Sequence, residues 1–323
     1  MEKKLGPILF GRKFLDSFAS WIRMMSNSIK LKRAQSPLEF LEIMEKFLSV
    51  ETIRACRNFK PNFSDIIITT FPKSGTTWMQ QITHCLRSNG DMTFDEISIA
   101  VPWLEVSYDM GIDLDEQQNF SPRLFKSHLT SEEIPSGAKY IVIFRDPGDV
   151  LLSYYNFMEG WFFEPGSISL EDFADVAFFE TDGFENYWHH LRTWWAKRDN
   201  PNVLFFCYED MKLNIEDVIS SVAKFANIPI SKSLLSLTKE YSSHSFMKRN
   251  EEKFDEHRTQ QALNVKCGLP EGGNSSKVNS GLAGMPSLIL TNQIEDNLAL
   301  FWEREIFNKL GFRTYSDFRK NVT

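Results

Sequence analysis

The chain has 323 residues, 42% of them hydrophobic and 24% charged, enough for a large core in one domain or at most two. A formal net charge of −7 argues against nucleic acid as the main partner, and no stretch approaches the ~18 apolar residues of a membrane span. The 4 cysteines, Cys56, Cys85, Cys207 and Cys267, are widely spaced without a Cys-x-x-Cys pair, so neither a zinc site nor a disulfide framework is expected, and a reducing cytoplasm is the simplest home.

Residues 1–33 stand apart in charge: eight Lys or Arg against two acids give +6, which leaves −13 for the rest. Phe10, Phe14, Phe18 and Trp21 interleave with the bases. Such a segment lies on a membrane or partner as an amphipathic helix, or packs on its own domain, and packing is the expectation. It lacks the apolar core and cleavage site of a signal peptide. Residues 1–35 are read as a basic amphipathic N-terminal extension and 36–323 as the main domain. Ser36-Pro37 reads as a capped helix start running to about Val50.

Asp65-Ile-Ile-Ile-Thr-Thr-Phe-Pro-Lys-Ser-Gly-Thr-Thr-Trp78 reads as buried strand, turn and helix start. Pro72 ends the ladder because it has no N–H to donate, and Gly75 lets the backbone curl. Successive N–H groups at a helix N-terminus form an anion cradle. Lys73 adds a mobile positive charge, and Ser74, Thr76 and Thr77 add hydroxyls. An ordinary strand-to-helix turn with a solvated Lys73 would use the same residues, so on local chemistry both readings stand.

Residues 101–116 form a long irregular connection rich in acids and aromatics, either a substrate loop or a locally packed surface segment. Three further strands are expected at Arg123–His128, Lys139–Arg145 and Asn202–Tyr208. Helices are expected from Val150, over about 184–198, and from Glu209 to about Phe225; a final helix runs from about Thr291 to Leu310. Residues 247–290, polar and rich in Gly and Pro, read as a lid or binding loop. Strands alternating with helices define an α/β single domain with a mainly parallel central sheet flanked by helices and a P-loop-like strand-loop-helix. Ligands in such sheets sit beyond the carboxyl ends of the strands, where Lys73, His128, Arg145 and Tyr208 all fall.

These residues carry a resemblance. Phe71-Pro-Lys-Ser-Gly-Thr-Thr-Trp78 resembles the 5′-phosphosulfate loop of the cytosolic-type sulfotransferases. Arg145-Asp-Pro-Gly-Asp-Val-Leu-Leu-Ser153 resembles their 3′-phosphate motif, Lys126-Ser-His128 their Lys-Thr-His, and Tyr208-Glu-Asp their Tyr-Glu-Asp. The resemblance covers about 38 to 312. It implies transfer of a sulfonate group from 3′-phosphoadenosine 5′-phosphosulfate (PAPS) to a hydroxyl or amine of a small molecule, with 3′-phosphoadenosine 5′-phosphate (PAP) as product and no metal. It further implies that Lys73, Ser74, Gly75, Thr76 and Thr77 hold the phosphosulfate and that Arg145 and Ser153 hold the 3′-phosphate. Trp78, Tyr208, His244, Ser245 and Phe246 would surround the adenine. His128 would be the base, with Lys73 and Lys126 supporting the transferring group.

Two places depart from the family pattern. The C-terminal Arg-Lys-Gly-x-x-Gly run has become Asn279-Ser280-Gly281-Leu-Ala-Gly284, with Lys277 close by, so weaker donor binding or a substitute cation, Lys248 or Arg249, is expected. The dimer motif keeps only Thr291 and the acid Asp296, which implies a monomer or weak dimer. Trp103, Glu105, Tyr108 and Phe157 are candidate acceptor contacts. With Asp109, Asp113, Asp115 and Glu116 they would suit a cationic or amphiphilic acceptor, unless these acids are merely solvated. Two other functions share the opening loop. A non-catalytic nucleotide-binding or interaction protein would explain the degenerate C-terminal run. A P-loop nucleotide kinase fits less well, since the loop lacks Gly-x4-Gly-Lys-Ser/Thr.

Overall fold

The computed structural model describes residues 31–179, 186–273, 277 and 289–322. Its centre is a four-stranded parallel sheet of β1 (Ile66–Thr70), β2 (Leu124–Ser127), β3 (Lys139–Phe144) and β4 (Val203–Cys207), in the order β2-β1-β3-β4. Both faces are covered, and the period-2 alternation of the strands divides the core accordingly. Ile67, Phe125, Val142 and Phe144 enter one hydrophobic cluster; Ile66, Ile68, Ile141 and Ile143 enter the other. At the opposite edge from the loops, Arg123 donates two hydrogen bonds to the buried Asp65 carboxylate, at 3.1 and 2.6 Å, pinning the starts of β1 and β2.

The chain leaves β1 toward β2 and leaves β3 toward β4, so the connections diverge between β1 and β3. That divergence opens a crevice at the carboxyl ends of the strands. Arg145, just past β3, spans it by donating to the backbone carbonyl of Lys73, just past β1, at 2.9 Å.

Several local signals read as expected. The Ser36 hydroxyl accepts the Glu39 N–H, capping a helix with Pro37 in its first turn. That helix stops at Met44 rather than near Val50, and Ser49 caps a second one, Val50–Asn58, through the Thr52 N–H. The helix expected from Glu209 is two, Tyr208–Leu213 and Ile215–Phe225, divided at Asn214. The helix after β3 begins at Pro147 and runs to Trp161, with Asp146 as its cap. A larger difference falls within 247–290. Here the chain forms an 11-residue helix, His257–Cys267, whose buried face includes Thr259, Gln260 and Asn264. A polar buried face gives no apolar period to read.

Lys32 and Ala34, assigned to the extension, are tied to the domain by backbone hydrogen bonds to Gly268 and Phe162, at 3.0 and 2.9 Å. Residues 1–30, on which the amphipathic-helix reading rests, lie outside the described residues, as do 184–185 of the aromatic helix, which is described over Tyr187–Trp195. All four cysteines are buried free thiols. Among the described residues no helix is long and apolar enough to cross a membrane.

Candidate active site

The turn after β1 is built for an anion. Lys73 sits in the left-handed region at φ 69, an unfavourable place for a side-chain-bearing residue, and Gly75 follows at φ 112. A Cβ on Gly75 would lie 2.9 Å from the Tyr208 ring, so both conformation and space require glycine. Gly75 caps the helix Thr76–Ser88 with no side chain, and the first turn carries no acid, which leaves its N–H groups free to face a ligand. The buried Ser74 hydroxyl and Arg145 Nε have no hydrogen-bond partner. Buried donors without acceptors are costly, and an oxyanion satisfies them.

A cavity of about 900 Å³ opens from this turn. On one side it is lined by Gly75, Thr76, Thr77, Trp78, Arg145, Ser153, Tyr208 and His244. The Arg145 guanidinium lies 4.5 Å from the Tyr208 ring centre and 3.6 Å from Asp149. Trp78 donates its indole N–H to the Ser242 carbonyl at 2.7 Å and meets Tyr208 edge-on. Of the residues expected around the nucleotide, Ser74, Ser245 and Phe246 do not line the cavity; Ser74 is buried behind the turn, and Phe246 stacks on Tyr241 at 4.4 Å. Asn279, Ser280 and Gly281 lie outside the described residues. Of the two substitute cations, Lys248 is engaged by Glu251.

On the other side the walls are apolar: Phe40, Met44, Phe47, Trp103, Tyr154, Phe157 and Trp161. The connection 101–106 runs beside β2, with the Lys126 N–H on the Pro102 carbonyl, and this brings Trp103 and Glu105 into the cavity. Tyr108, expected to contact an acceptor, points to solvent at 56% exposure and does not line the cavity. Asp113, Asp115 and Glu116 are exposed and absent from its walls, while Asp109 is held by Ser49 and Lys266. Glu105 is the sole member of that acidic set in the wall. Its carboxylate accepts the His128 backbone N–H at 2.6 Å, and burial raises its pKa.

His128 stands between the two sides. Its Nδ1 lies 2.8 Å from the Thr70 carbonyl. A carbonyl only accepts, so Nδ1 carries the ring proton and Nε2 keeps its lone pair. Trp103 meets the ring edge-on at 5.2 Å. Burial first, then the neighbouring Lys126, pulls the His128 pKa well below its ordinary value. Lys73 Nζ lies 4.2 Å from the Phe157 ring centre. Desolvation, and after it the cations Lys277, Lys126 and Arg145, lower the Lys73 pKa well below that of a free lysine. Lys126 Nζ lies 4.0 Å from the Trp103 ring centre and donates to Glu256 at 2.5 Å.

Glu256 is the residue that sequence reasoning missed. It lies in the stretch read as loop, 130 residues from Lys126, and no local pattern announces it. Three other histidines lie outside the cavity walls. His84 packs against Phe94 and Arg87, His190 is buried, and His257 shares its ring nitrogens with Asp255 and Asp95. Glu96, Asp255 and His257 bring donor atoms within 4.8 Å of one another, outside the cavity walls.

A parallel α/β sheet with an uncapped helix start at its switch point, two cationic positions across that crevice and a neutral histidine beside them defines a nucleotide-dependent group-transfer enzyme. Comparison with known proteins gives the family. Residues 63–284 match the family model of the sulfotransferase domain. Sulfotransferase 1E1 of Bos taurus is 33% identical over 221 residues, which cover 65% of this chain and 73% of that protein. Two solved structures share the fold. Retinol dehydratase in complex with retinol and PAP has a TM-score of 0.60 at 18% identity, covering 80% of this chain and 86% of its own. A mouse sulfotransferase complexed with PAP has a TM-score of 0.58 at 17% identity, covering 85% and 94%. The chain belongs to the sulfotransferase family. It is a transferase that moves a sulfonate group from PAPS to a small-molecule acceptor.

Proposed function

We propose that this sulfotransferase acts on the hydroxyl of a hydrophobic or amphiphilic small molecule, with His128 as general base. The observation that carries this reading is the His128 tautomer: Nδ1–H on the Thr70 carbonyl leaves a bare Nε2 at the junction of a cationic and an apolar cavity wall. A neutral imidazole with one free lone pair takes a proton, and its depressed pKa keeps it neutral through physiological pH.

The residues fit the donor. The unpartnered Ser74 hydroxyl, the free N–H groups after Gly75, and Lys73 would hold the 5′-phosphosulfate. Arg145, with Nε unpartnered, and Ser153 would hold the 3′-phosphate, and Trp78 and Tyr208 would flank the adenine, with His244 at the wall beside them. When bound, PAPS supplies the sulfonate group on an anhydride to phosphate. Lys73 offsets negative charge at the phosphate end, and Lys126 offsets it at the sulfonate oxygens. The same apolar walls that desolvate His128 exclude water from the proton transfer.

An apolar acceptor follows from the walls. Four of the five acids expected to attract a cation do not line the cavity; of the acids that do, Glu256 is engaged by Lys126 and Lys277, and Glu133 shares the wall with Arg57, so a cationic acceptor is not favoured, and Glu105 remains as a hydrogen-bond acceptor for one polar group. We further propose that turnover needs no metal, that the domain spans 36–323 with a basic extension before it, that the chain is a monomer or weak dimer, and that it works in the cytoplasm. Calorimetry with PAP tests the donor site. Binding at low micromolar concentration or tighter is expected, and no heat at high micromolar concentration would leave the non-catalytic reading as the better one.

A further inference from the structure

We propose that Lys277 is a third cation on the transferring sulfonate, beside Lys73 and Lys126, and that Glu256 is the residue that positions Lys126 and Lys277 for it. The inference rests on the sulfotransferase reading of the site. Glu256 is 1% exposed and sits at φ 64, the left-handed region, as the residue before the helix His257–Cys267. That conformation is unfavourable for a glutamate, and such strain is found where surrounding contacts impose it. Here they do. Oε1 accepts from both Lys126 and Lys277; Oε2 accepts from Thr259 at 2.7 Å and Ser98 at 3.2 Å. Every lone-pair direction of the carboxylate is engaged, so its position is fixed, and it fixes two ammonium groups in turn.

Those ammonium groups line the same cavity as Lys73 and His128. A lysine ammonium has three N–H donors. Lys126 and Lys277 each give one to Glu256, which leaves donors for a ligand in the cavity. Around Lys277 stand Glu256, Lys126, Glu96 and, across the cavity, Lys73. Lys277 shares Glu256 Oε1 with Lys126, the lysine two residues before His128, and this contact puts it with the transfer centre rather than with Arg145 on the 3′-phosphate side. Glu256 thus holds two ammonium groups where the sulfonate passes, positioned before the substrate arrives. Lys277 thus contributes charge to the sulfonate end of the donor.

The test compares two nucleotides that differ by the sulfonate. In the full chain, Lys277→Met keeps the Lys126–Glu256 pair and removes only the extra cation. It is expected to weaken PAPS binding about tenfold while PAP binding, by calorimetry, stays within about twofold; Lys277→Arg restores PAPS. Burial and Lys126 depress the Lys277 pKa to about 8, so the wild-type preference for PAPS over PAP should fall as pH rises through that value and stay flat in Lys277→Arg. For Glu256, the Glu256→Gln variant should lower kcat for 2-naphthol, or the PAPS-over-PAP preference should that phenol not turn over, with Glu256→Asp partly restoring it and melting followed alongside. Equal losses for PAP and PAPS in Lys277→Met, or no loss in either, overturn the proposal. A wild-type chain that binds neither nucleotide overturns the underlying reading of the site instead.

Discussion

At His128 the ring geometry makes a kinetic statement. With Nδ1–H on Thr70 and a pKa held well below 6.5, the base form persists where an exposed histidine would already be protonated. The acidic limb of kcat/KM should therefore lie below pH 6.5, and His128→Ala should lower kcat by about 10²–10⁴-fold with PAP affinity nearly unchanged. Lys73 works in the other direction. Its pKa is depressed in the free enzyme, and an anionic donor raises it again, so donor binding takes up a proton and weakens as pH rises through the depressed value. Calorimetry in buffers of different ionisation enthalpy reads that uptake directly. Most of these residues were legible one by one, because Lys73, Lys126, His128 and Arg145 sit in short motifs at strand ends. Glu256 was not, because its role exists only once β2 and the helix His257–Cys267 meet in space. Tyr108 was misread for the converse reason: an aromatic in a loop carries no sign of which way it turns.

At the level of elements, the turn after β1 and the helix Thr76–Ser88 act as one unit. Gly75→Ala would place a Cβ 2.9 Å from the Tyr208 ring in a conformation alanine avoids, so PAP affinity should fall about tenfold or more. The polar helix His257–Cys267 is the other informative element. Its Asn264 accepts the buried Trp161 N–H at 2.7 Å and donates to the carbonyls of Pro270 and Gly272 at 2.8 and 3.1 Å, joining an acceptor-side wall to the chain that leads toward Lys277. Asn264→Ala would orphan all three groups, and a loss of about 2 kcal/mol in stability is expected, read by thermal or urea unfolding. Capping serines, buried isoleucine runs and Pro-Gly punctuation made the strands readable, and with them the helix starts after Ser36, Gly75, Asp146 and Thr291, but not those of helices such as Val50–Asn58 and Lys232–Tyr241. The helix ends at Met44 and Leu213, and the whole of His257–Cys267, were set by tertiary packing that leaves no period in the sequence.

Across the whole molecule, one sheet edge gathers the working groups, and the two clusters on its faces hold that edge still. The cavity combines a donor side with backbone N–H groups and fixed cations and an acceptor side of aromatic walls. This division explains why the motifs disclosed the donor and not the acceptor: anion sites recur in short runs, whereas the apolar wall is assembled from residues between Phe40 and Ala177. The most direct test is transfer of labelled sulfonate from PAPS to a panel of hydrophobic alcohols, phenols, amines and cationic alkaloids, with EDTA present. Labelled product is expected from hydrophobic hydroxyl compounds, unaffected by EDTA and lost in His128→Ala. Transfer that survives the loss of His128, requires a divalent metal, or is confined to cationic amines would contradict it.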